Sequence, residues 1–284
     1  MKKILILGGT RFLGPALIRS LKASSETYDI TCFHRGLHMN SLPAENVRHI
    51  IGDRRKERDV QALFAQDYDL VIDLSGTEKE MIEYAMRHAL HCGRYVFVSS
   101  SSVYSPSYEN PHREEEALNG GTGEPYALAK IYGEMILKER YPNYTVIRPS
   151  KVYGEGNYYF SERAFLAMLQ KNPRVVLKND PLLHFTYIDD LIAGIISLLE
   201  TNGVFNIAGK EPAKLSTFIT RIGRLHGIEP EFVFGETSEV KFSDLKDRTL
   251  GLSKAEKTTG WKPVVTLEEG LMRTFGIKGS GRPH

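Results

Sequence analysis

Ile4-Leu5-Ile6-Leu7-Gly8-Gly9-Thr10-Arg11-Phe12-Leu13-Gly14 is the stretch on which the reading of this chain turns. A short apolar run enters a glycine turn directly, and Ala16, Leu17, Ile18 and Leu21 then recur at helical spacing. Glycines permit a tight turn and close backbone approach, while the free N–H groups and the positive end of the helix dipole favour a pyrophosphate. Such a turn can also be an ordinary strand-to-helix connection, but its place at the first strand of the chain favours a dinucleotide site. Gly8, Thr10, Arg11, Phe12, Leu13 and Gly14 are therefore candidate cofactor-binding residues. Arg11 stands where the usual pattern has its middle glycine, so a guanidinium replaces the closest backbone approach.

Working outward, apolar runs at Ile4–Leu7, Ile30–Phe33, Val47–Ile51, Leu70–Leu74, Tyr95–Val98 and Thr145–Ile147 alternate with segments long enough for crossover helices, among them Glu78–Cys92 and Tyr126–Arg140. This alternation predicts right-handed βαβ units and a Rossmann-type doubly wound parallel sheet, in the α/β class. After Pro149 the elements shorten and Gly154, Gly156 and Asn157 interrupt the pattern. We expect residues 1–149 and about 184–203 to form the dinucleotide-binding domain. Residues of about 150–183 and 204–284 are expected to form a smaller C-terminal substrate-binding α/β domain.

The 284 residues carry 37 basic and 35 acidic side chains, a net charge of +2, so no broad field announces a nucleic-acid or membrane partner. The cluster Arg54, Arg55, Lys56, Arg58 reads as a solvated helix start. Cys32 and Cys92, the two cysteines, each lie in an apolar run and read as reduced core residues. The apolar stretch ending at Leu7 is far too short for a signal segment or membrane span, which predicts a cytoplasmic protein.

Strand ends carry the chemistry. The second strand stops at His34-Arg35-Gly36, where an acid would bind the 2′-hydroxyl of NAD. No acid stands there, and Arg35 with Arg11 suits a 2′-phosphate instead, unless both are plain surface arginines. Asp53, after the third strand, is placed to accept an adenine amino proton, or is a simple turn residue. Leu74, Ser75 and Gly76, after the fourth, complete the candidate cofactor set on that side. Tyr126 and Lys130 lie four residues apart, hence on one helix face, where an ammonium favours the phenolate and makes tyrosine a usable acid/base. Upstream, Ser99-Ser100-Ser101-Ser102 supplies hydroxyls at the carboxyl edge of the sheet.

These motifs together resemble the extended short-chain dehydrogenase/reductases, which include nucleotide-sugar epimerases, dehydratases and reductases. Phe97-Val98-Ser99-Ser100-Ser101-Ser102-Val103-Tyr104 resembles the family's catalytic-serine segment, and Tyr126-Ala127-Leu128-Ala129-Lys130 its active-site helix. Val146 through Gly154, Phe185 through Asp190, Phe205 through Gly209, and Gly260-Trp261-Lys262-Pro263 with Leu267 through Leu271 resemble its later segments. The resemblance implies Ser100, Tyr126 and Lys130 as catalytic residues. Tyr126 would exchange a proton with the substrate oxygen, Lys130 would hold the nicotinamide ribose, Ser100 would hydrogen-bond the reacting oxygen, and Pro149 would border the nicotinamide. Two departures narrow it. Ser101-Ser102 replaces the Asp-Glu pair of the dehydratases, and Leu183 stands where many epimerases have a diphosphate-binding arginine.

The turn Gly8-Gly9-Thr10-Arg11-Phe12-Leu13-Gly14 with His34-Arg35-Gly36 is similar to a subgroup that includes chloroplast stem-loop RNA-binding proteins. The sequence thus predicts an NAD(P)-dependent epimerase or reductase acting on a sugar-like substrate, with NADP favoured over NAD and no metal. A non-enzymatic RNA-binding or dinucleotide-sensing protein is the alternative. The lack of a basic, aromatic-interleaved stripe argues against nucleic acid. The oligomeric state stays open, with a homodimer among the options.

Overall fold

Continuous apolar runs, buried on both faces, account for the central sheet. In the computed structural model, which describes residues 1–38, 46–105, 110–119, 123–158 and 162–277, the chain runs β1 (Lys2–Leu7), α1 (Leu13–Ala23), β2 (Tyr28–His34), β3 (Val47–Ile51), α2 (Glu57–Leu63), β4 (Leu70–Asp73), α3 (Lys79–His88), β5 (Tyr95–Val98), α4 (Pro125–Arg140) and β6 (Tyr144–Pro149). It continues through β7 (Lys151–Tyr153), α5 (Glu162–Lys171), β8 (Arg174–Leu177), β9 (Leu182–Tyr187), α6 (Ile188–Ser197) and β10 (Gly203–Ile207). The last elements are β11 (Pro212–Lys214), α7 (Leu215–Leu225), β12 (Glu231–Phe234), α8 (Ser253–Thr259) and α9 (Leu267–Phe275).

Seven strands form one parallel sheet in the order β10-β6-β5-β4-β1-β2-β3. Ile4, Ile6, Ile72, Val96 and Ile147 point into one core, shared with Leu17 of α1 and Leu191 of α6. Leu5, Leu7, Val71, Phe97 and Val146 point into the other, against Ile82 and Met86 of α3 and Leu137 of α4. Strands buried on both faces explain why the sequence shows continuous apolar runs there. Each fully buried Ile, Leu or Val contributes roughly 1.5–3 kcal/mol of transfer free energy. The strand order reverses between β1 and β4, and the crevice at their carboxyl ends is where such sheets bind ligands.

Two placements differ from expectation. β10 was expected in the smaller unit but extends the main sheet, pairing with β6 from Gly203↔Thr145 to Ile207↔Pro149. Without it, β6 would leave a row of backbone donors and acceptors unpaired at the sheet edge. β9, expected to return to the first domain, is instead the centre of a small sheet between β7 and β11. The return is made by α6, which packs beside α1. β8 and β12 form a separate parallel pair. Cys32 is buried and Cys92 half-buried, both as free thiols. Among the described residues no helix is long and apolar enough to cross a membrane.

Candidate active site

The glycine turn builds the floor of a cleft of about 290 Å³ at the crossover point, lined by Gly8, Thr10, Arg11, Phe12, Leu13, His34, Arg35, Asp53, Leu74 and Ser75 from the expected set. Gly8 has φ +94°, and a Cβ there would lie 2.4 Å from the Ser75 Cβ, so the close approach of the two loops requires glycine. Gly14 lies beneath the cleft, where a Cβ would strike the Gly9 backbone at 2.2 Å. Arg11 is outside the left-handed region, and the turn is made by Phe12 instead, at φ 47° and ψ −97°. A bulky residue with this backbone is strained by about 1–3 kcal/mol. Phe12 caps α1 without a side-chain hydrogen bond, and no acid stands in the helix's first turn. The positive dipole end of α1 is therefore open to an anion, with the Gly14 N–H turned to the Arg11 carbonyl at 3.0 Å and Pro15 carrying no N–H. The Arg11 guanidinium stacks on Tyr158, with its carbon 3.2 Å from the ring centroid.

Behind this floor lies a pair that the sequence did not disclose. Asp73, at the end of β4, is fully buried, and Arg54 grips both its oxygens at 2.7 and 2.8 Å. Arg54 also donates to Ser75 Oγ and the Met81 carbonyl, and Asp73 accepts from the Ser75 and Gly76 N–H groups and from the Tyr95 hydroxyl. Arg54 is thus a structural cation and not a solvated helix start. Burial opposes ionisation of Asp73, but the Arg54 charge and hydrogen bonds outweigh it and hold the carboxyl below its ordinary value. The pair fixes the Leu74–Gly76 loop. Leu74 and Ser75 face the cleft, whereas Gly76 lies under it.

At the far end, Arg35 is exposed, Asp53 Oδ1 accepts from the Arg55 N–H at 3.0 Å, and Arg55 pairs with Glu78. Cys32, His34 and His49 bring three soft donor atoms within 4.8 Å of one another. Their hydrogen bonds give another account of that cluster. His34 Nδ1 accepts from the Gly36 N–H, which leaves the ring proton on Nε2, pointed at His49 Nδ1 3.0 Å away. A nitrogen carrying its proton offers no lone pair to a metal.

The proposed catalytic residues lie on α4 and on the turn that follows the carboxyl end of β5. Tyr126 and Lys130 share one face of α4, with the Lys130 ammonium 5.6 Å from the Tyr126 ring centroid and 4.6 Å from that of Phe97. Tyr126 is partly exposed, whereas Lys130 is buried and donates to the Val98 carbonyl at 2.6 Å. Burial lowers the Lys130 pKa to about 8, against the raising influence of Asp73. Ser100 opens a 3-10 turn over Ser101–Val103, which packs on α4. Its Oγ accepts from the Ser102 N–H at 3.1 Å and the Ser102 hydroxyl at 3.0 Å. Pro149 ends β6 and is buried, and the N–H of the next residue, Ser150, donates to the Ile207 carbonyl at 3.0 Å.

A polar network holds α4 from behind. Glu134 accepts from Ser99 Oγ and from Arg148, and Arg148 also donates to the Tyr104 hydroxyl at 2.8 Å. Tyr104 donates to Asn206 Oδ1 at 2.7 Å, which ties β10 to the same cluster. Every one of these side chains is buried, and each partner satisfies the next. Helix spacing alone could point to Glu134, four residues beyond Lys130, but nothing in the sequence shows that Arg148 reaches it. Tyr158, Arg54, Arg55, Thr77 and Met81 also line the cleft without having been expected there.

Fold and glycine turn together define a Rossmann protein of the short-chain dehydrogenase class. The family model described as "NAD dependent epimerase/dehydratase family" matches residues 4–85 and 77–208, and the chain belongs to that family. It is 29% identical over 304 residues to the chloroplast stem-loop binding protein of 41 kDa b from Arabidopsis thaliana, covering 97% of this chain and 79% of that protein. The structure of UDP-glucose 4-epimerase with UDP-glucose from Thermotoga maritima superposes with a TM-score of 0.81 at 20% identity, covering 97% of this chain and 98% of that one. The Bordetella bronchiseptica enzyme WbmG, solved in complex with NAD, gives 0.83 at 18% identity, covering 97% and 93%.

Proposed function

We propose that this protein is an NAD(P)-dependent epimerase or reductase acting on a secondary alcohol or ketone of a sugar-like substrate. The observation that carries the reading is the Tyr126–Lys130 pair, with its buried ammonium beside a partly exposed phenol at the carboxyl edge of the sheet. The cofactor's diphosphate would lie on the Gly8–Gly14 turn and the start of α1, its adenine end near Arg35 and Asp53, and its nicotinamide ribose near Tyr126 and Lys130. When bound, the nicotinamide supplies or accepts hydride.

The chain's own residues handle the proton. Lys130, with a pKa of about 8, stays largely cationic at neutral pH and favours the Tyr126 phenolate. Tyr126 then takes the proton of a substrate hydroxyl or returns it to a carbonyl oxygen. Ser100 Oγ already accepts two hydrogen bonds from Ser102, so its own O–H remains to donate to the reacting oxygen. NADP is the favoured dinucleotide, because Arg35 and Arg11 line the cleft where no acid follows β2.

The name of the Arabidopsis relative supports a second reading, an RNA-binding protein, but the Ser100, Tyr126 and Lys130 set favours chemistry. The test measures, for wild type and Tyr126→Phe, both net oxidation of reduced nicotinamide and redox-neutral interconversion of epimers by NMR, with a panel of sugars and nucleotide sugars. We expect the substitution to lower turnover by about 10²–10⁴-fold while cofactor affinity is kept. Unchanged turnover removes Tyr126 from the mechanism. Tight stem-loop RNA binding with no turnover anywhere in the panel supports the second reading.

A further inference from the structure

Lys130 is a buried ammonium whose immediate neighbours accept its hydrogens but do not match its charge. It donates to the Val98 carbonyl and lies over the Phe97 and Tyr126 rings, and among the described residues no carboxylate stands at ion-pair distance from it. A charge taken out of water needs a counter-charge, or the group gives up its proton. Arg54 and Arg148, buried in the same region, each have a carboxylate in contact.

The sheet brings a carboxylate to Lys130 by way of Phe97. β4 and β5 pair in register at Asp73↔Phe97, so Asp73 leaves the sheet on the face that Val71 and Phe97 share with α3 and α4. The point that a Cβ on Gly76 would occupy is 3.2 Å from Asp73 Oδ2 and 3.2 Å from Phe97 Cε2, which sets the carboxylate against the edge of the ring whose face holds Lys130. A Cβ on Gly133 of α4 would lie 2.9 Å from the same ring, so the helix is pressed onto it. Packing, and not contact between the charges, fixes their spacing.

The opposite charges of Asp73 and Arg54 do not cancel at Lys130. Asp73 raises the Lys130 pKa more than Arg54 lowers it, as it must where the carboxylate end of the pair is the nearer one. The influence is mutual, since Lys130 joins Arg54 in holding the Asp73 carboxyl low. Glu134, one turn along α4 and closed by Arg148, adds a weaker pull. The charged and titratable groups facing Lys130 are thus Asp73 from β4, Arg54 from the segment between β3 and α2, and Glu134 with the Tyr126 phenol from α4 itself.

We propose that Asp73 is a positioning residue for the reaction, the buried counter-charge that keeps Lys130 cationic beside Tyr126. This role rests on the reading of Tyr126 and Lys130 as the pair that handles the proton. One carboxylate then serves both the Leu74–Gly76 loop of the cofactor cleft and the ionisation of the proton-transfer pair.

The test follows Lys130 directly. In protein carrying isotopically labelled lysine, the Lys130 Cε resonance, assigned by its loss in Lys130→Met, is titrated with pH by NMR for wild type, Asp73→Asn and Arg54→Lys. The wild-type midpoint is expected at about 8. Asp73→Asn removes the attracting charge and should lower the midpoint by about one pH unit, the order of a Coulomb interaction across a ring at an effective dielectric constant of about 20. Arg54→Lys disturbs the geometry but keeps both charges, so it should move the midpoint much less. Should Asp73→Asn not fold, the double variant Arg54→Gln with Asp73→Asn leaves a neutral hydrogen-bonding pair, and its midpoint should still fall because the carboxylate has the larger influence. The basic limb of the pH–turnover profile should move down together with the midpoint. An unmoved midpoint in the carboxylate-free protein, an equal shift in Arg54→Lys, or a limb that stays in place while the midpoint moves overturns the proposal. A midpoint that shifts as expected in a protein without turnover on any substrate would retain the counter-charge and discard the oxidoreductase reading.

Discussion

The crossover crevice and the small sheet treat positive charge in opposite ways. Under the glycine turn, the charge of Arg54 is matched by Asp73 and that of Arg55 by Glu78, although Arg54 Nε has no hydrogen-bond partner. On the small sheet, Lys151 and Arg248 are half-buried without a carboxylate at ion-pair distance among the described residues. The difference teaches that the sign of a cleft is a poor guide to what it binds. What matters is which cations already have their counter-charge. By that criterion Arg35 is exposed at the rim with no ion pair among the described residues, whereas Arg54 is matched by Asp73.

Breaking the compensated end should have the largest effect. Asp73→Asn leaves the Arg54 charge buried and loosens the Leu74–Gly76 loop, and removing one partner of a buried pair costs about 3–5 kcal/mol. Urea denaturation should show that loss, and a change within experimental scatter would mean the pair is not what orders the loop. The same carboxylate predicts a pH dependence. Its folded pKa lies below the ordinary 3.8, so its contribution to stability is fully present above that value and is lost as pH falls through the folded pKa. Acid unfolding of Asp73→Asn should be correspondingly flatter.

An intermediate effect is expected at the rim. Arg35→Ala should weaken NADP by roughly one to two decades, the worth of a charge-assisted contact of about 1.5–3 kcal/mol, and leave NAD nearly untouched. Titration with both dinucleotides decides this, and equal affinities unaffected by the substitution would place Arg35 with the surface charges. The smallest effect belongs to Tyr158→Leu. It removes a cation–π contact on Arg11 worth about 0.5–1 kcal/mol, so NADP affinity should shift by less than about tenfold. A larger change would show that Tyr158 touches the cofactor itself.

Much of this architecture was legible because sheet burial writes itself into sequence. The six apolar runs became β1 to β6, and the segments around Glu78–Cys92 and Tyr126–Arg140 contain α3 and α4. The Tyr126–Lys130 pairing was legible too, since four residues return a helix to the same face. Arg54 was misread because a run of basic residues looks solvated until a distant acid is brought to one of them. Asp73 hid at the end of an apolar run for the complementary reason. Tyr158 over Arg11, and Lys151 near Arg248, depend on how separate segments pack, which local periodicity does not encode. β10 was assigned to the wrong unit because chain order places it between β9 and β11 of the small sheet, whereas its hydrogen bonds join it to β6.

That non-sequential strand bears on how the chain is made. When β6 leaves the ribosome its outer edge has no partner, and residues 150–207 must still be added before β10 can pair and Asn206 can meet Tyr104. At roughly 5–20 residues per second this is an interval of about 3–12 s in which a strand carrying Val146 and Ile147 shows open backbone to its surroundings. A fragment cut at Pro149 would prolong that interval indefinitely. It should self-associate on expression, where a fragment extended through Ile207 would keep the edge covered.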